Sequence, residues 1–462
     1  MSEAEALELS APLQPEGSLR PQAASLTFPG ISEPSGQQLL HEQLAQRWAV
    51  FPEVLERVVE FTDRLKRAAE GGQALLVVAV HRENFPTLGY LVHGLRELGV
   101  RAFGVYVMPR FDESQPEPFE DCMSCRGSFG VLAEIALRAP VVPLYLQAHA
   151  QRAFLSQLLV ALRPDVRVFQ EIYDWMDAFV DPAHEAVFEA EQVFSRAEIA
   201  VMRASERYAR TRLSGFIYKD GGAPMAQLLQ ESSAPSVQLM PCPPRSFQRE
   251  PLPPPAGPIR LAHAGQLRSA GSSRAFADLY AVPLYRDLLA QGLDLTVFPS
   301  AVRADGFDAM FGDYQRLADV DPHMHCREHL SLAELIGALH GEFHYGILLY
   351  HFNADLIVGQ RHLRGALASK LFVYWAAGLP VLVSEELDYM ASLVRETGAG
   401  IVVSRAELST LGARLAELDY PALQAKVRQA QMTYHIERFL PAVTALLTSA
   451  GGGPGEHAEA AE

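Results

Sequence analysis

The sequence predicts an α/β protein with two domains, each built on a parallel β-sheet. At 462 residues, 49% of them hydrophobic, the chain is too long for a single core, because single cores stop growing near roughly 250–300 residues. Short apolar, β-branched runs alternate with amphipathic stretches in both halves, a pattern typical of parallel strands buried on both faces. A segment at 241–258 with eight prolines separates the halves.

The expected strands are apolar runs bounded by helical or turn-forming segments. In the first half they are 74–80, 101–108, 141–148, 166–172 and 199–204. In the second half they are 259–267, 293–300, a weaker run at 324–330, 345–352, 379–384 and 400–404. Residues 420–449 have helical periodicity with one apolar face, which needs a packing partner.

Composition sets the domain borders. Residues 1–37 and 450–462 are rich in small and polar residues without apolar periodicity, so we expect disordered tails. The first domain then covers 38–240 and the second 259–430, with an extended proline-rich linker at 241–258 and a final helix at 431–449.

Charge and hydropathy exclude several classes of protein. A net charge of −16 without clustered Lys or Arg argues against nucleic acid as a partner. No stretch reaches the roughly 20 apolar residues that span a bilayer. The acidic start is unlike a signal peptide, so we expect a cytoplasmic protein, with peripheral membrane contact left open.

Two groups of possible metal ligands carry little weight. Cys122 and Cys125 form a C-x-x-C that no second such pair completes, so we expect two reduced thiols. The other group comprises His323, His325, Cys326 and His329. On a strand only two of these four share a face, and we therefore assign no metal ligand. A metal- or redox-dependent protein is the alternative from a different class.

Residues 369–384, SKLFVYWAAGLPVLVS, resemble the donor-site helix and next strand of glycosyltransferase family 4 (group 1) and its GT-B relatives. There the pattern is approximately P-x-K-L-x-E-Y-x-A-x-G-x-P-V-I. Residues 393–403 are similar to the family's next helix and strand, and weaker similarity extends over about residues 70–447. Within it, 197–205 is similar to the strand that precedes the linker. The resemblance implies a GT-B fold, in which two Rossmann-like domains face each other across a cleft and the last helix crosses back to the first domain.

The resemblance also implies a glycosyltransferase of polysaccharide or glycoconjugate synthesis. Its partners would be a nucleotide-sugar donor, bound as a substrate by the second domain, and a glycan or glycoconjugate acceptor, with no other cofactor. A diphosphate requires positive charge and free backbone N–H groups. The candidates are Gly265, Arg268, Gly271 and Lys370. A cation such as Lys370 at a helix start is unfavourable unless an anion also lies there. A solvated lysine and tight glycine turns are the structural alternatives.

Two candidate catalytic residues follow strands of the first domain. His149, after the run at 141–148, could bind a sugar hydroxyl or relay a proton. Asp174, after 166–172, could orient the acceptor. A structural histidine and a helix N-cap are the alternatives for these positions.

One departure limits the resemblance. Retaining relatives carry two glutamates that contact the sugar and the ribose, and the equivalent positions here are Gly365 and Val373. Glu385 or Glu386 could compensate. The alternative function is therefore a non-catalytic protein of the same fold that binds a sugar or nucleotide.

Overall fold

The computed structural model describes residues 26, 28, 31, 34–80, 86–108, 119–271, 274–300, 307–350, 352 and 356–448. These residues form two parallel sheets. The first has seven strands in the order β3-β2-β1-β4-β5-β6-β7, and the second has six in the order β10-β9-β8-β11-β12-β13. The predicted fold class, two Rossmann-like domains with parallel sheets, is confirmed.

The strands are short and their central members are fully buried, because helices cover both faces of each sheet. The first sheet contains β1 (Ala74–Ala79), β2 (Arg101–Tyr106), β3 (Asp121–Ser124), β4 (Leu144–Gln147), β5 (Val168–Ile172), β6 (Gly215–Tyr218) and β7 (Ser236–Gln238). The second sheet contains β8 (Arg260–Gly265), β9 (Asp294–Pro299), β10 (Met324–Cys326), β11 (Tyr345–Leu348), β12 (Val381–Ser384) and β13 (Gly400–Val403).

The helices alternate with these strands. Up to residue 240 they are α1 (Pro34–Arg47), α2 (Pro52–Glu70), α3 (Pro86–Glu97), α4 (Phe129–Arg138), α5 (Leu155–Leu162), α6 (Met176–Phe179), α7 (Glu185–Ala190), α8 (Arg196–Arg212) and α9 (Ala223–Gln230). Beyond it they are α10 (Val282–Leu289), α11 (Phe307–Val320), α12 (Leu332–Leu339), α13 (Gln360–Gly365), α14 (Lys370–Ala376), α15 (Asp388–Thr397), α16 (Leu411–Ala416), α17 (Tyr420–Thr433) and α18 (Ile436–Thr448).

The predicted strand at 199–204 is wrong, because these residues lie inside helix α8. Ser195 caps that helix and forms a reciprocal capping box with Glu198, a strong helix-start signal. Its buried positions include Ile199 and Met202, three residues apart, which is helical spacing. The similarity of 197–205 to a strand of glycosyltransferases therefore does not hold.

The C-terminal helical pattern is divided into two helices with different partners. Helix α17 ends at Thr433, and α18 begins at Ile436. Val427 of α17 belongs to the same buried cluster as Trp375 of the second domain. Leu440 of α18 lies against α3 of the first domain, where a Cβ built on Gly94 would be 2.0 Å from its Cδ1.

The chain termini and the proline-rich segment differ in how well they pack. Helix α1 begins at Pro34, inside the predicted tail, and Phe28 is also buried. Leu26 and Ile31 of the predicted N-terminal tail are also described, and its other residues before Pro34 and the predicted C-terminal tail lie outside the described residues. The segment 241–258 packs on the second domain, since the Arg249 amide donates to the Ala376 carbonyl at 2.7 Å.

A short stretch of the second domain, residues 356–367, lies directly on the first domain and is called the docking segment here. Val358 forms an isolated antiparallel bridge with Val180. The Gly359 amide donates to the Phe179 carbonyl at 2.8 Å, and the Gly221 amide donates to the Gly365 carbonyl at 3.0 Å. These backbone contacts fix the two sheets relative to each other.

Gly359→Ala tests the docking segment. A Cβ at this position would lie 2.0 Å from the carbonyl oxygen of Ala178, so the two domains must separate locally. We expect a loss of about 1–3 kcal/mol in the free energy of unfolding, the usual cost of overpacking, measured by calorimetry. The control is Gly337→Ala in helix α12, where a Cβ meets nothing within 4 Å. This control should be neutral or stabilising, since alanine is the better helix former. Equal effects of the two variants would contradict the docking contact.

Candidate functional site

The candidate site lies between the carboxyl ends of the strands of the two sheets, where open parallel sheets bind ligands. On the second domain, Gly265 ends β8 and Lys370 begins α14. Gly265 has φ of +116°, and a Cβ built on it would lie 2.9 Å from Cδ of Lys370. The lysine chain therefore runs directly along the Gly265 backbone, an approach that only glycine allows.

The ammonium group of Lys370 lies in a partly enclosed, electrostatically unusual position. Its Nζ is 5.7 Å from the centroid of the Tyr350 ring. Burial lowers the pKa of Lys370 to about 8, and nearby Asp278 opposes that shift. Burial also raises the pKa of Asp278, to about 6. Within the described part of the chain no carboxylate forms an ion pair with Lys370. An anionic ligand would favour the charged lysine.

Arg268 and Gly271 lie on the loop after β8. The Arg268 guanidinium is 4.8 Å from the centroid of the Phe276 ring, and burial lowers the pKa of Arg268. Gly271 has φ of +82° and is exposed, so a tight turn accounts for this glycine without a ligand. The phosphate-binding roles of both residues stay predictions.

The predicted catalytic pair lies on the first domain. His149 follows β4 and precedes a short 3-10 turn at Ala150–Arg152. Burial lowers the pKa of His149, while Asp174 opposes the shift. Burial would raise the pKa of Asp174, but Lys219, His362 and His149 together hold it below its ordinary value. The histidine and the carboxylate are thus electrostatically coupled.

A buried charge cluster surrounds Asp174 that the sequence did not predict. Lys219 Nζ lies 2.7 Å from Oδ1 of Asp220 and 3.5 Å from Oδ1 of Asp174. Asp220 Oδ1 also accepts the Leu367 amide of the docking segment at 2.9 Å. His362 approaches from α13, with its ring 5.0 Å from the Phe179 ring, edge to face. Four side chains from two domains therefore lie together, with Lys219 and Asp220 buried and Asp174 and His362 half-buried.

Tyr350 connects this cluster with Lys370. It follows β11, and its amide donates to Oγ of Ser384 at 3.1 Å. Burial and Asp278 raise the pKa of Tyr350, while Lys219 of the other domain lowers it. The pKa of the Tyr350 hydroxyl thus depends on charged groups of both domains. No motif marks Tyr350, Lys219 or His362. Tyr350 and Lys219 follow strand ends, where site residues are expected, whereas His362 lies on helix α13.

The two positions that lack glutamates are filled by packing. A Cβ at Gly365 would lie 2.6 Å from Cε of Met225. Val373 is 7% exposed and belongs to the apolar cluster that contains Leu387 and Met390. A larger residue at Gly365 would require Met225 to move, and a glutamate at Val373 would place its carboxylate among apolar side chains.

The compensating glutamates follow β12. Glu385 is exposed and lines a hollow of about 580 Å³ together with Arg395 and Arg414. Its amide donates to the Val403 carbonyl at 3.0 Å, which places it beside the edge strand β13. Glu386 is half-buried. Their roles in donor binding stay predictions.

The cysteine and histidine groups of the sequence analysis do not converge on a metal position within the described residues. Cys122 is on β3, and Cys125 follows it as a buried free thiol whose pKa is raised by burial. His323 instead pairs with Asp294 through Nδ1 and Oδ1, 2.5 Å apart. His329 Nδ1 lies 3.2 Å from the Pro299 carbonyl oxygen.

Solved structures share this two-domain architecture. HepE of Anabaena, in complex with UDP and glucose, is 12% identical with a TM-score of 0.52, over 82% of this chain and 99% of that one. The α,α-trehalose 6-phosphate synthase of Burkholderia multivorans is 13% identical with a TM-score of 0.50, over 81% and 96%. The fold is GT-B. At these identities the likeness shows the GT-B fold and not membership of glycosyltransferase family 4.

No protein-family model matches the chain, and no curated protein matches it in sequence. Among the described helices of this GT-B fold, none has the length and apolarity needed to cross a bilayer.

His263 makes the stability of the second domain sensitive to acid. It lies on β8 and is 1% exposed. Burial first, and then Lys370, lower the pKa of His263 well below its ordinary 6.5. The unfolded chain therefore takes up this proton first. The contribution of His263 to the free energy of unfolding is therefore fully present above about pH 6.5. It falls as the pH drops below that value, by up to about 1.4 kcal/mol per pH unit for one group.

We expect His263→Phe to flatten the dependence of the melting temperature on pH between about pH 6.5 and pH 5. Phenylalanine fills a similar volume beside the Tyr285 ring, whose centroid is 6.1 Å from that of His263. The control is His325→Gln on β10, where the side chain is exposed. An unchanged slope in His263→Phe would show that His263 does not cause the acid sensitivity.

Proposed function

We propose that the chain is a glycosyltransferase that binds a nucleotide-sugar in its cleft and transfers the sugar to a glycan or glycoconjugate. The observation that carries the proposal is Lys370, a partly enclosed cation that lies against the Gly265 backbone, with its Nζ 5.7 Å from the centroid of the Tyr350 ring. UDP and glucose are bound by HepE, which has the same fold. Synthesis of polysaccharide or glycoconjugate in the cytoplasm is the proposed setting.

The second domain would hold the diphosphate. As the bond between the sugar C1 and the phosphate oxygen breaks, its electron pair stays on the nucleoside diphosphate. The Lys370 ammonium is placed to balance that charge, and its partial burial strengthens the interaction relative to water. Arg268 would add a second cation on the same side of the cleft.

The first domain would activate the acceptor. His149 has a pKa below the ordinary value and is therefore neutral near pH 7, as a proton acceptor must be. It would take the proton of the acceptor hydroxyl while that oxygen bonds to C1. Asp174 would stabilise the imidazolium that forms, since the two groups already interact. The proton and the leaving electron pair thus go to opposite domains.

A second candidate function is binding of a nucleotide or sugar without transfer. The filled positions at Gly365 and Val373 favour it, because neither can supply the carboxylate that binds sugar or ribose hydroxyls in retaining relatives. The two functions differ in turnover. Assays of UDP-, GDP- and ADP-sugar hydrolysis, with the ligand chosen first by thermal shift, test them directly.

Lys370→Ala should weaken binding of the preferred nucleoside diphosphate by about tenfold or more, since a charge-assisted hydrogen bond is worth roughly 1.5–3 kcal/mol. The corresponding nucleoside should bind almost unchanged. In the wild type, affinity should fall as the pH rises above about 8, where the lysine loses its charge. Isothermal titration measures the affinity of Lys370→Ala for the diphosphate and for the nucleoside, and the pH dependence of the wild-type affinity.

The control for this variant is Lys426→Ala, which removes an exposed lysine of helix α17. It should leave both affinities unchanged. Equal weakening of nucleoside and diphosphate by Lys370→Ala would assign Lys370 to the fold and not to the phosphate.

Val373→Glu distinguishes the two candidate functions. Because Val373 lies in an apolar cluster, the new carboxylate stays unpaired, and we expect a lower melting temperature without tighter nucleotide binding. The wild type should hydrolyse or transfer at least one nucleotide-sugar. Tighter binding by Val373→Glu, with no turnover by either protein, would instead support the non-catalytic function.

A further inference from the structure

We propose that Asp174, Asp220 and His362 form a binding site for one divalent transition-metal ion, such as Mn²⁺ or Zn²⁺, that spans the two domains. One ligand atom from each of these residues lies within 4.8 Å of the others. The site shares Asp174 with the proposed catalytic pair, but its test does not require transferase activity, because only metal binding is measured.

The charge balance of the cluster calls for a further cation. Asp174 and Asp220 supply two negative charges, and Lys219 supplies one positive charge. Lys219 lies closest to Asp220, so with His362 neutral the charge left over falls mainly on Asp174, whose side chain is 34% exposed. This carboxylate is only partly solvated, so a second cation beside Lys219 would stabilise the arrangement.

Two ligand atoms in the cluster have no hydrogen-bond partner within the described residues. Oδ1 of Asp220 is used by Lys219 and by the Leu367 amide, whereas Oδ2 of Asp220 is buried and unpaired. Nδ1 of His362 is likewise buried and unpaired. Buried polar atoms are nearly always satisfied in folded proteins. We therefore assign these two atoms, together with one carboxylate oxygen of Asp174, as the ligands of the proposed ion.

The chemistry of the donors narrows the choice of ion. Two carboxylates and one imidazole suit Mn²⁺ or Zn²⁺ better than the hard ion Ca²⁺, which takes oxygen ligands only. Three protein ligands leave coordination positions open for water or for a ligand oxygen. Asp174 and Asp220 follow β5 and β6 of the first domain, and His362 lies on α13 of the second. The ion would therefore tie the domains together.

Titration of the chelator-treated full chain with MnCl₂ or ZnSO₄ alone tests this site, using calorimetry for both ions and electron paramagnetic resonance for Mn²⁺. We expect one ion per chain and a higher melting temperature. Asp220→Asn and His362→Gln should each weaken binding by at least about tenfold. The matched control is His323→Gln, which breaks an exposed His–Asp pair outside the cluster and should bind the ion as the wild type does.

Lys219→Met tests the site independently of the ligand variants, because it removes the competing ammonium group and leaves all three proposed ligands in place. Binding should become at least several-fold tighter as the repulsion between lysine and metal is lost. Circular dichroism establishes that each variant is folded, and His362→Gln leaves the carboxylates intact if Asp220→Asn does not fold. Failure of wild type and Lys219→Met to bind either ion at about 1 mM would overturn the site. Undiminished binding in both Asp220→Asn and His362→Gln would do the same.

Discussion

The docking segment is the contact on which the rest of the cleft depends. Gly359 can approach the first domain only because it has no Cβ, and the carbonyl of Gly365 accepts the Gly221 amide. Between these two anchors lies His362, and five residues after the second lies Lys370. One short stretch thus places a residue of the charge cluster and the candidate phosphate-binding residue. Its backbone contacts set the distance between the two sheets.

The same contact also determines the packing at Gly365 and Val373. A Cβ at Gly365 would lie 2.6 Å from Cε of Met225, so a larger residue there would require that side chain to move. Val373 belongs to an apolar cluster. The ionisable groups of the cleft come instead from the loops after β5 and β6 and from α13. The charge that a ligand would meet is therefore set by domain packing as much as by helix α14.

Sequence patterns identified the elements whose signal is local. The continuous apolar run at residues 74–80 predicts β1, because a strand buried on both faces consists mainly of apolar residues. The four-residue strand β3 carries Asp121 and Cys122, and this mixture of polar and apolar residues hides it. The run at 199–204 was misassigned because its apolar residues suit a strand, and the capping box at Ser195 outweighs them.

The residues of the candidate site also differ in whether a local sequence pattern marks them. Lys370 and Gly265 lie in or near local motifs, and the structure brings them together. Asp174 follows β5, the adjacent residues Lys219 and Asp220 follow β6, and His362 lies much later in the chain on α13. Only the fold makes them neighbours, so a single sequence could not have revealed the cluster.

Closure of the cleft and neutralisation of its charge are linked by this geometry. In an open form Asp220 would lose the Leu367 amide, His362 would withdraw, and water would solvate the two carboxylates. With the domains in contact, the excess negative charge is only partly solvated, and a cation would lower its energy. Any cation that binds only the closed form must favour closure by the same free energy with which closure favours its binding. Binding of a cation in the cleft would thus add to the stability that the backbone contacts at Gly359 and Gly365 give to the contact between the domains.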